Sequence, residues 1–440
     1  MELISNLNLE IGIIWNIFLN HFLTLNQNLT TFYIESKFLY CKYFQKQIKC
    51  ITPMAVRVTT VCFSLLVSII ILSNVIESYE SGRRSNVTIE TIHGHFYDCV
   101  DIYKQPTLLH PTLDSKRIKM IIVKELERQK KGKSGGFKAE EYWLNKEGCP
   151  IGTVPIRRMK KKQLQNARDA SLSLSNEYLG NNWIDFAGIY IQASPPIERF
   201  FGVSAFLCLY NPQVRGTGQY SAASMSLETG AGQKFEHIQV GWIVHPKMNG
   251  DNRTHLYTKW TADGYHKTGC YNTHCPGFIQ LSSVIPIDYV FPRISDIQTN
   301  SKEEVLLSVY QTQYLDYHLV MPMLEEEIGM WPYEIFDSLS AKGADTVRYG
   351  GQVYTPAGQD LSPAMGNGQF EEGHWQLTCY MRKVLYDIEV DGNRQQVPPD
   401  DSKVQTQESR CFYEGNQHND NDGYWDYNFL FGGAGGGEHS

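Results

Sequence analysis

Between residues 236 and 280 the chain reads EHIQVGWIVHPKMNGDNRTHLYTKWTADGYHKTGCYNTHCPGFIQ, and the residue types there limit the chemistry open to it. Cys270 and Cys275 enclose Tyr-Asn-Thr-His, with His266 close by. Two thiols and imidazoles at that spacing could hold zinc, and two thiols alone could close a small disulfide loop. An oxidising compartment favours the disulfide. Asn252-Arg253-Thr254 in this stretch and Asn86-Val87-Thr88 before it are glycosylation sequons, which agree with secretion. The sequence has no Gly-x-Ser-x-Gly elbow, phosphate loop or His-Glu-x-x-His helix, so serine hydrolase, nucleotide and zincin readings have no support. No metal and no cofactor is expected.

A chain of 440 residues with a hydrophobic share of 42% can bury a sizeable core in two or three domains. Its formal charge of -7 is mild, and with no long basic face nucleic acid is excluded as a partner. With 26 Tyr, 20 Phe and 36 Gly, the composition favours strands joined by turns over a helical bundle.

The order of segments gives a secretory layout. Residues 1–53 are apolar and Asn-rich with no domain-like pattern, and they read as a gene-model extension. Met54 opens a second start: Arg57 gives a basic beginning, Val58 to Leu72 an apolar run, and Ser78 a small residue for cleavage. Residues 54–78 therefore read as a signal peptide, the alternative being an uncleaved signal anchor. Secretion without stable membrane association is the expectation. In the 79–156 segment, Ile118, Ile121, Ile122 and Leu126 fall at helical spacing with charged residues opposite, predicting a surface helix packed on the next domain. Residues 157–178 carry Arg157, Arg158, Lys160, Lys161 and Lys162 followed by a polar run, and read as a solvated linker open to proteases.

From residue 179 to 432 short period-two runs alternate with Gly, Pro and Asn, as in WIDFAGIYIQA and SAASMSLETG. That pattern predicts a mainly β domain, an antiparallel sandwich of two packed sheets. One helix is expected over Trp331 to Leu339, with Pro332 at its start and Gly343 past its end. Residues 433–440 read as a disordered tail.

Several separated motifs across roughly residues 86 to 432 resemble the plant neprosin family of glutamic peptidases. They are Gln239-Val240-Gly241-Trp242, Gly250-Asp251-Asn252-Arg253-Thr254 and YTKWTADGYHKTGCYNTHCPGF. DCVDIYKQP and CPIGTVPIRR are similar to the two ends of the neprosin activation peptide. The resemblance implies a small activation-peptide domain closed by a Cys99–Cys149 disulfide, then a β-sandwich peptidase-like domain. It also implies acid activity on proline-containing peptides, by two glutamates on facing strands that activate water without a covalent intermediate.

Within that pattern the second glutamate corresponds to Glu372, immediately before Gly373, with Glu371 as the alternative because the stretch is one residue shorter. The first falls on Gln239, since the chain reads Ile-Gln-Val-Gly-Trp where the family reads IEAGW. Glutamine cannot exchange a proton. Either the fold survives with its peptidase activity lost and a binding role kept, or Gln239 donates to the oxyanion while Glu372 alone serves as base and then acid. Two further departures are Gln369 where the family has His, and Gln352 where it has the glutamate of WGGE. Trp242, Trp260 and Tyr265 complete the candidate substrate-binding set with Gln352 and Gln369. Glu236, three before Gln239, falls on the opposite face of a strand. Of the ten cysteines, Cys41, Cys50 and Cys62 precede residue 78 and an odd number remains. Cys411 is then either free or paired with Cys208 or Cys379.

Overall fold

The computed structural model describes residues 87–131, 139–172, 174, 183–194, 198–359, 361–371, 374–409, 411–419 and 423–436. The expected extension, the signal peptide, Asn86 and Glu372 lie outside the described residues.

The N-terminal part comprises β1 (Thr88–Glu90), β2 (Phe96–Asp101), α1 (Ser115–Lys131), β3 (Thr153–Arg157) and α2 (Lys161–Leu172). The three strands form an antiparallel sheet in the order β1-β2-β3, and the Cys99–Cys149 disulfide closes it as the resemblance implied. So small a unit cannot bury enough apolar surface by itself. Ile118 and Ile122 of α1 accordingly share a core with Val100, Val154 and Met330, and Trp143 donates its indole N–H to the Val284 carbonyl at 2.8 Å.

Two ionic clusters add to this docking. Arg117 of α1 donates to both carboxylate oxygens of Asp316 at 2.8 Å and to Glu334 at 2.9 Å, and its guanidinium lies 4.4 Å from the Tyr333 ring centre. The Asp316 and Glu334 side chains are only 2% and 9% exposed, so removing the arginine strands two buried carboxylates. Arg117→Leu is expected to lower unfolding free energy by about 3–5 kcal/mol, read from urea titration. A loss under about 1 kcal/mol would place the cluster among weak surface pairs.

At the other end of α1, Glu125 and Arg128 pair beside Glu326, whose carboxylate accepts from Ser282 Oγ at 2.5 Å. Burial pushes Glu326 up to about 7 from an ordinary 4.5. The folded state thus holds a proton that the unfolded state releases, so stability is full below about pH 4.5 and falls as pH rises toward 7, by about 3 kcal/mol for this group. Glu326→Gln should remove that loss, seen as a difference between the stability–pH slopes of the two proteins. Identical slopes would refute the assignment.

The larger part is built from β4 (Trp183–Gln192), β5 (Gly202–Cys208), β6 (Tyr220–Thr229), β7 (Glu236–Val244), a one-turn helix α3 (Pro246–Asn249), β8 (His255–Thr261), β9 (Cys270–Tyr271) and β10 (Ile279–Gln280). It continues with β11 (Glu304–Gln311), β12 (Tyr317–Met321), β13 (Glu326–Trp331), α4 (Ser338–Lys342), β14 (Thr346–Thr355) and β15 (Cys379–Val390). β16 (Asn393–Val397), β17 (Val404–Gln407), β18 (Tyr413–Asn419) and β19 (Tyr427–Gly432) complete it. A seven-stranded sheet runs β17-β4-β14-β6-β7-β8-β9, and a nine-stranded sheet runs β10-β13-β12-β11-β5-β15-β19-β18 with β16 on β15. All pairings are antiparallel, and the apolar set of each strand alternates inward to one core between the sheets, which is the sandwich expected.

Three expectations are corrected. The 157–178 segment is no solvated linker, because α2 forms there and buries Ala167, Ala170 and nearby Leu174. Its small apolar residues recur at helical spacing within the polar run, and the charges mask that stripe. Trp331 to Leu339 is not one helix: Trp331 ends β13, Tyr333–Ile335 is a 3-10 turn, and Phe336 is extended. Only α4 follows, ended by Gly343 at φ 83° as expected. The tail is ordered through residue 436, since Met365 donates to the Gly433 carbonyl and Gly436 to that of Ser362.

Candidate functional site

β7 is buried along its whole length, so both of its faces matter. Ile238, Val240 and Trp242 point into the core between the sheets, and His237, Gln239 and Ile243 point to the other side. Glu236 lies with the core-facing set, as the period-two argument predicts, and accepts the N–H groups of Asp337, Ser338 and Leu339 at 2.9, 3.1 and 2.6 Å. It satisfies the start of α4 and is spoken for.

On the opposite face Gln239 meets Gln352. The Gln239 amide donates to Gln352 Oε1 at 2.8 Å and to Ser224 Oγ at 2.6 Å. Register explains the meeting: Ser224 pairs with Gly241 on one side and Gly350 on the other, so Gln239 and Gln352 flank it diagonally across β6. Both glutamines are 5% exposed, and the Gln239 Oε1 atom is buried with no hydrogen-bond partner among the described residues. Gly241 is required beside Ser224, because a Cβ there would sit 2.0 Å from the Ala223 carbonyl oxygen.

Around the pair the face is aromatic and cationic. Tyr220, Tyr257, Tyr265, Tyr271 and Tyr354 form one cluster, and Lys259 of β8 stands directly opposite Gln239 in register. Tyr265 bonds His237 Nδ1 through its hydroxyl at 2.7 Å, and burial together with Lys259 holds His237 well below the ordinary histidine range. Burial likewise brings His245 down to about 3. Both imidazoles therefore stay neutral. Glu228 accepts from Ser226 at 2.8 Å and from Arg348 at 3.0 Å, which neutralises the carboxylate on this side.

Helix α2 covers this face. Ala167 and Ala170, with Leu174 beyond the helix end, pack in the same cluster as the five tyrosines, and the Tyr271 N–H reaches Ser171 Oγ at 3.4 Å. The basic, polar run after β3 thus packs on the tyrosine cluster of this face.

The structure redistributes the candidate residues. Trp242 is fully buried in the core and donates its indole N–H to the Cys208 carbonyl at 2.7 Å, so it joins the two sheets. Trp260 is also core, edge-on to Phe336 at 6.0 Å, because its partner in register is Ile238. Their positions in the period-two pattern carried this signal. Tyr265 and Gln352 do lie on the Gln239 side. Gln369 is exposed in a loop against Gly432 of β19, in the other sheet, and no hydrogen bond among the described residues joins it to the glutamine pair. Glu371 is exposed, beside His374 at 3.8 Å, with its backbone tied to Thr378. Lys259, Ser224 and Tyr220 were missed, since only strand register reveals them.

Cys270 and Cys275 are joined, which removes both thiols from metal ligation, and Cys208 pairs with Cys379; among the described residues Cys411 is a free thiol, and it donates to the Gly436 carbonyl at 3.1 Å. Asn252 is exposed on the loop before β8.

Comparison with known proteins gives two sequence-profile matches. Residues 217–434 match the sequence profile described as Neprosin, and residues 88–178 match that of the Neprosin activation peptide, a span that includes α2. Among solved structures, scytalido-glutamic peptidase with a transition state analog inhibitor is similar at 11% identity and a TM-score of 0.31, over 57% of this chain and 98% of that one. SCP-B, a member of the eqolisin family of peptidases in complex with the tripeptide Ala-Ile-His, is similar at 11% identity and a TM-score of 0.29, over the same shares. A two-sheet antiparallel sandwich preceded by a disulfide-closed domain, with both profiles matched in that order, shows that the chain belongs to the neprosin family and carries its activation peptide.

Proposed function

We propose that this chain is a secreted neprosin-fold protein that holds peptide at the Gln239–Gln352 face without cleaving it. The family is one of glutamic peptidases, which supports a peptidase scaffold and a peptide as ligand. The observation that carries the reading is the 2.8 Å hydrogen bond between two amides. Position 239 corresponds to one family glutamate and position 352 to the glutamate of WGGE. Two side chains in contact on one sheet face are where a paired-carboxylate mechanism would be sited. Neither amide can take or give a proton, so the acid–base step has no agent at this pair.

Proline-containing peptides suit a face with five tyrosines, since aromatic-lined grooves accept the preformed extended helix of proline-rich segments. Secretion is supported by three disulfides and by the exposed Asn252 sequon. Helix α2 would have to leave for peptide to enter, so release of the activation peptide opens the face. Ala167→Glu with Ala170→Glu should undock α2 by burying charge against the tyrosines, raising peptide affinity by about 100-fold or more. Unchanged affinity would show that α2 is no lid.

Family membership favours a second reading, an acid-active endopeptidase in which Glu372 is the base and Gln239 the oxyanion donor. One experiment separates the two. The secreted protein from residue 79, in the α2-undocked background, is acidified and given a proline-containing peptide beside its Glu372→Ala variant. Binding without cleavage is expected; cleavage that vanishes in Glu372→Ala would establish the peptidase.

A further inference from the structure

Building on the peptide-holding reading, we infer that the ligand is an extended peptide anchored twice, at Gln239 and again by His245 and Asn249 beyond the end of β7. Six strand residues at about 3.3 Å each separate positions 239 and 245, so the two anchors stand about 20 Å apart. An extended chain needs about six residues to reach both.

Three atoms mark the anchors. Gln239 Oε1, His245 Nδ1 and Asn249 Nδ2 are buried with no hydrogen-bond partner among the described residues, in residues 5%, 2% and 4% exposed. Buried polar atoms are ordinarily paired, so three orphans on one side of the sheet call for a ligand that pairs them. His245 continues the alternation of Gln239, Gly241 and Ile243, and its ring lies 5.5 Å from that of Tyr220, which shares a cluster with Ile243. Asn249 ends α3, whose Met248 belongs to the same cluster. Between the anchors the surface is small or apolar: Gly241 has no side chain, and Ala222 stands beside Ile243 in register.

Helix α2 follows the same path. A Cβ on Gly250 would sit 2.6 Å from Gln163 Nε2, which places the start of α2 against α3. Near its other end Ser171 meets Tyr271, and Tyr271 is level with Gln239 because Lys259 pairs with both in register. The helix therefore runs along the strand direction, from the Asn249 end to the level of Gln239. It packs alanines against the tyrosine cluster and gives none of the three orphans a hydrogen bond. A peptide backbone carries what they lack. Its N–H groups suit Gln239 Oε1, its carbonyls suit the Asn249 amide, and the neutral imidazole of His245 donates or accepts according to its tautomer. Anchors of this kind read length and extended shape more than side chains.

The test uses one proline-containing sequence in lengths from three to nine residues, acetylated and amidated so that neither end is charged. Each length is titrated by fluorescence anisotropy against the secreted chain with α2 undocked, and urea titration checks that every variant is folded. The seven-residue form should bind about 10- to 100-fold tighter than the four-residue form, with little gain beyond seven. Asn249→Ala and His245→Phe should each collapse most of that ratio, whereas Gln239→Leu should weaken every length. Affinity that does not step up between four and seven residues, or a ratio that both Asn249→Ala and His245→Phe leave intact, overturns the inference and leaves the peptide-holding reading standing. Failure of every length to bind overturns both.

Discussion

Changing Gln239 and Gln352 together to glutamate is expected to give this face peptidase activity in acid, while either single change gives little. The two side chains already touch at 2.8 Å, so the double variant places two carboxylates where they cannot both ionise easily. One keeps its proton and the other does not, which supplies an acid and a base at a single site. Ser224 Oγ remains beside position 239 to orient one carboxylate, and Lys259 opposes it in register, lowering the cost of the single negative charge. General acid–base groups contribute roughly 10²–10⁴-fold, so cleavage of a proline-containing peptide should rise at least about 100-fold over the parent. The measurement is product formation against pH in the α2-undocked background. Activity should fall as the second carboxylate loses its proton. Its absence in a folded double variant would mean that the pair is not where the family's chemistry is sited. Gain from Gln239→Glu alone would hand the partner role to Glu372.

The fold was legible because its signals are local. Alternation along SAASMSLETG and WIDFAGIYIQA announced strands, and the flanking Gly and Pro residues announced turns. The helix at α1 followed from Ile118 and Ile122, which are buried as their spacing predicts. What failed needed contacts distant in sequence. Trp331 to Leu339 carries helical spacing, yet Trp331 pairs with Tyr317 across two strands and the ladder claims it. The charge run after β3 looked solvated, and only the tyrosine face explains why Ala167 and Ala170 are small.

The site was half legible for the same reason. Gln239 and Gln352 were both marked as departures, but nothing local says that residues more than a hundred apart share one hydrogen bond. That fact lives in the β7-β6-β14 register. Trp242 misled because aromatic residues near a functional motif invite a binding role, although it is an odd number of positions from Gln239 and so faces the other way.

Trp242→Ala tests that reversal, and its expected effect is on stability. The indole fills the space between the sheets and ties β7 to the Cys208 carbonyl of β5 at 2.7 Å, next to the Cys208–Cys379 disulfide. Truncation removes the largest side chain from a closed core and leaves a buried carbonyl unpaired, at a cost of about 3–5 kcal/mol. Trp242→Phe keeps most of the ring volume and loses the hydrogen bond, so it should cost less, about 1–3 kcal/mol. With α2 undocked, the folded fraction of both variants should bind the proline-containing peptide as their α2-undocked parent does, since the ring is walled off from the Gln239 face by β7 itself. Urea titration and peptide anisotropy on the same preparations separate the cases. A residue lining the binding face would give the opposite pattern, with affinity lost and stability kept within about 0.5 kcal/mol, and that result would return Trp242 to the ligand and undo the division of β7 into a core face and a peptide face.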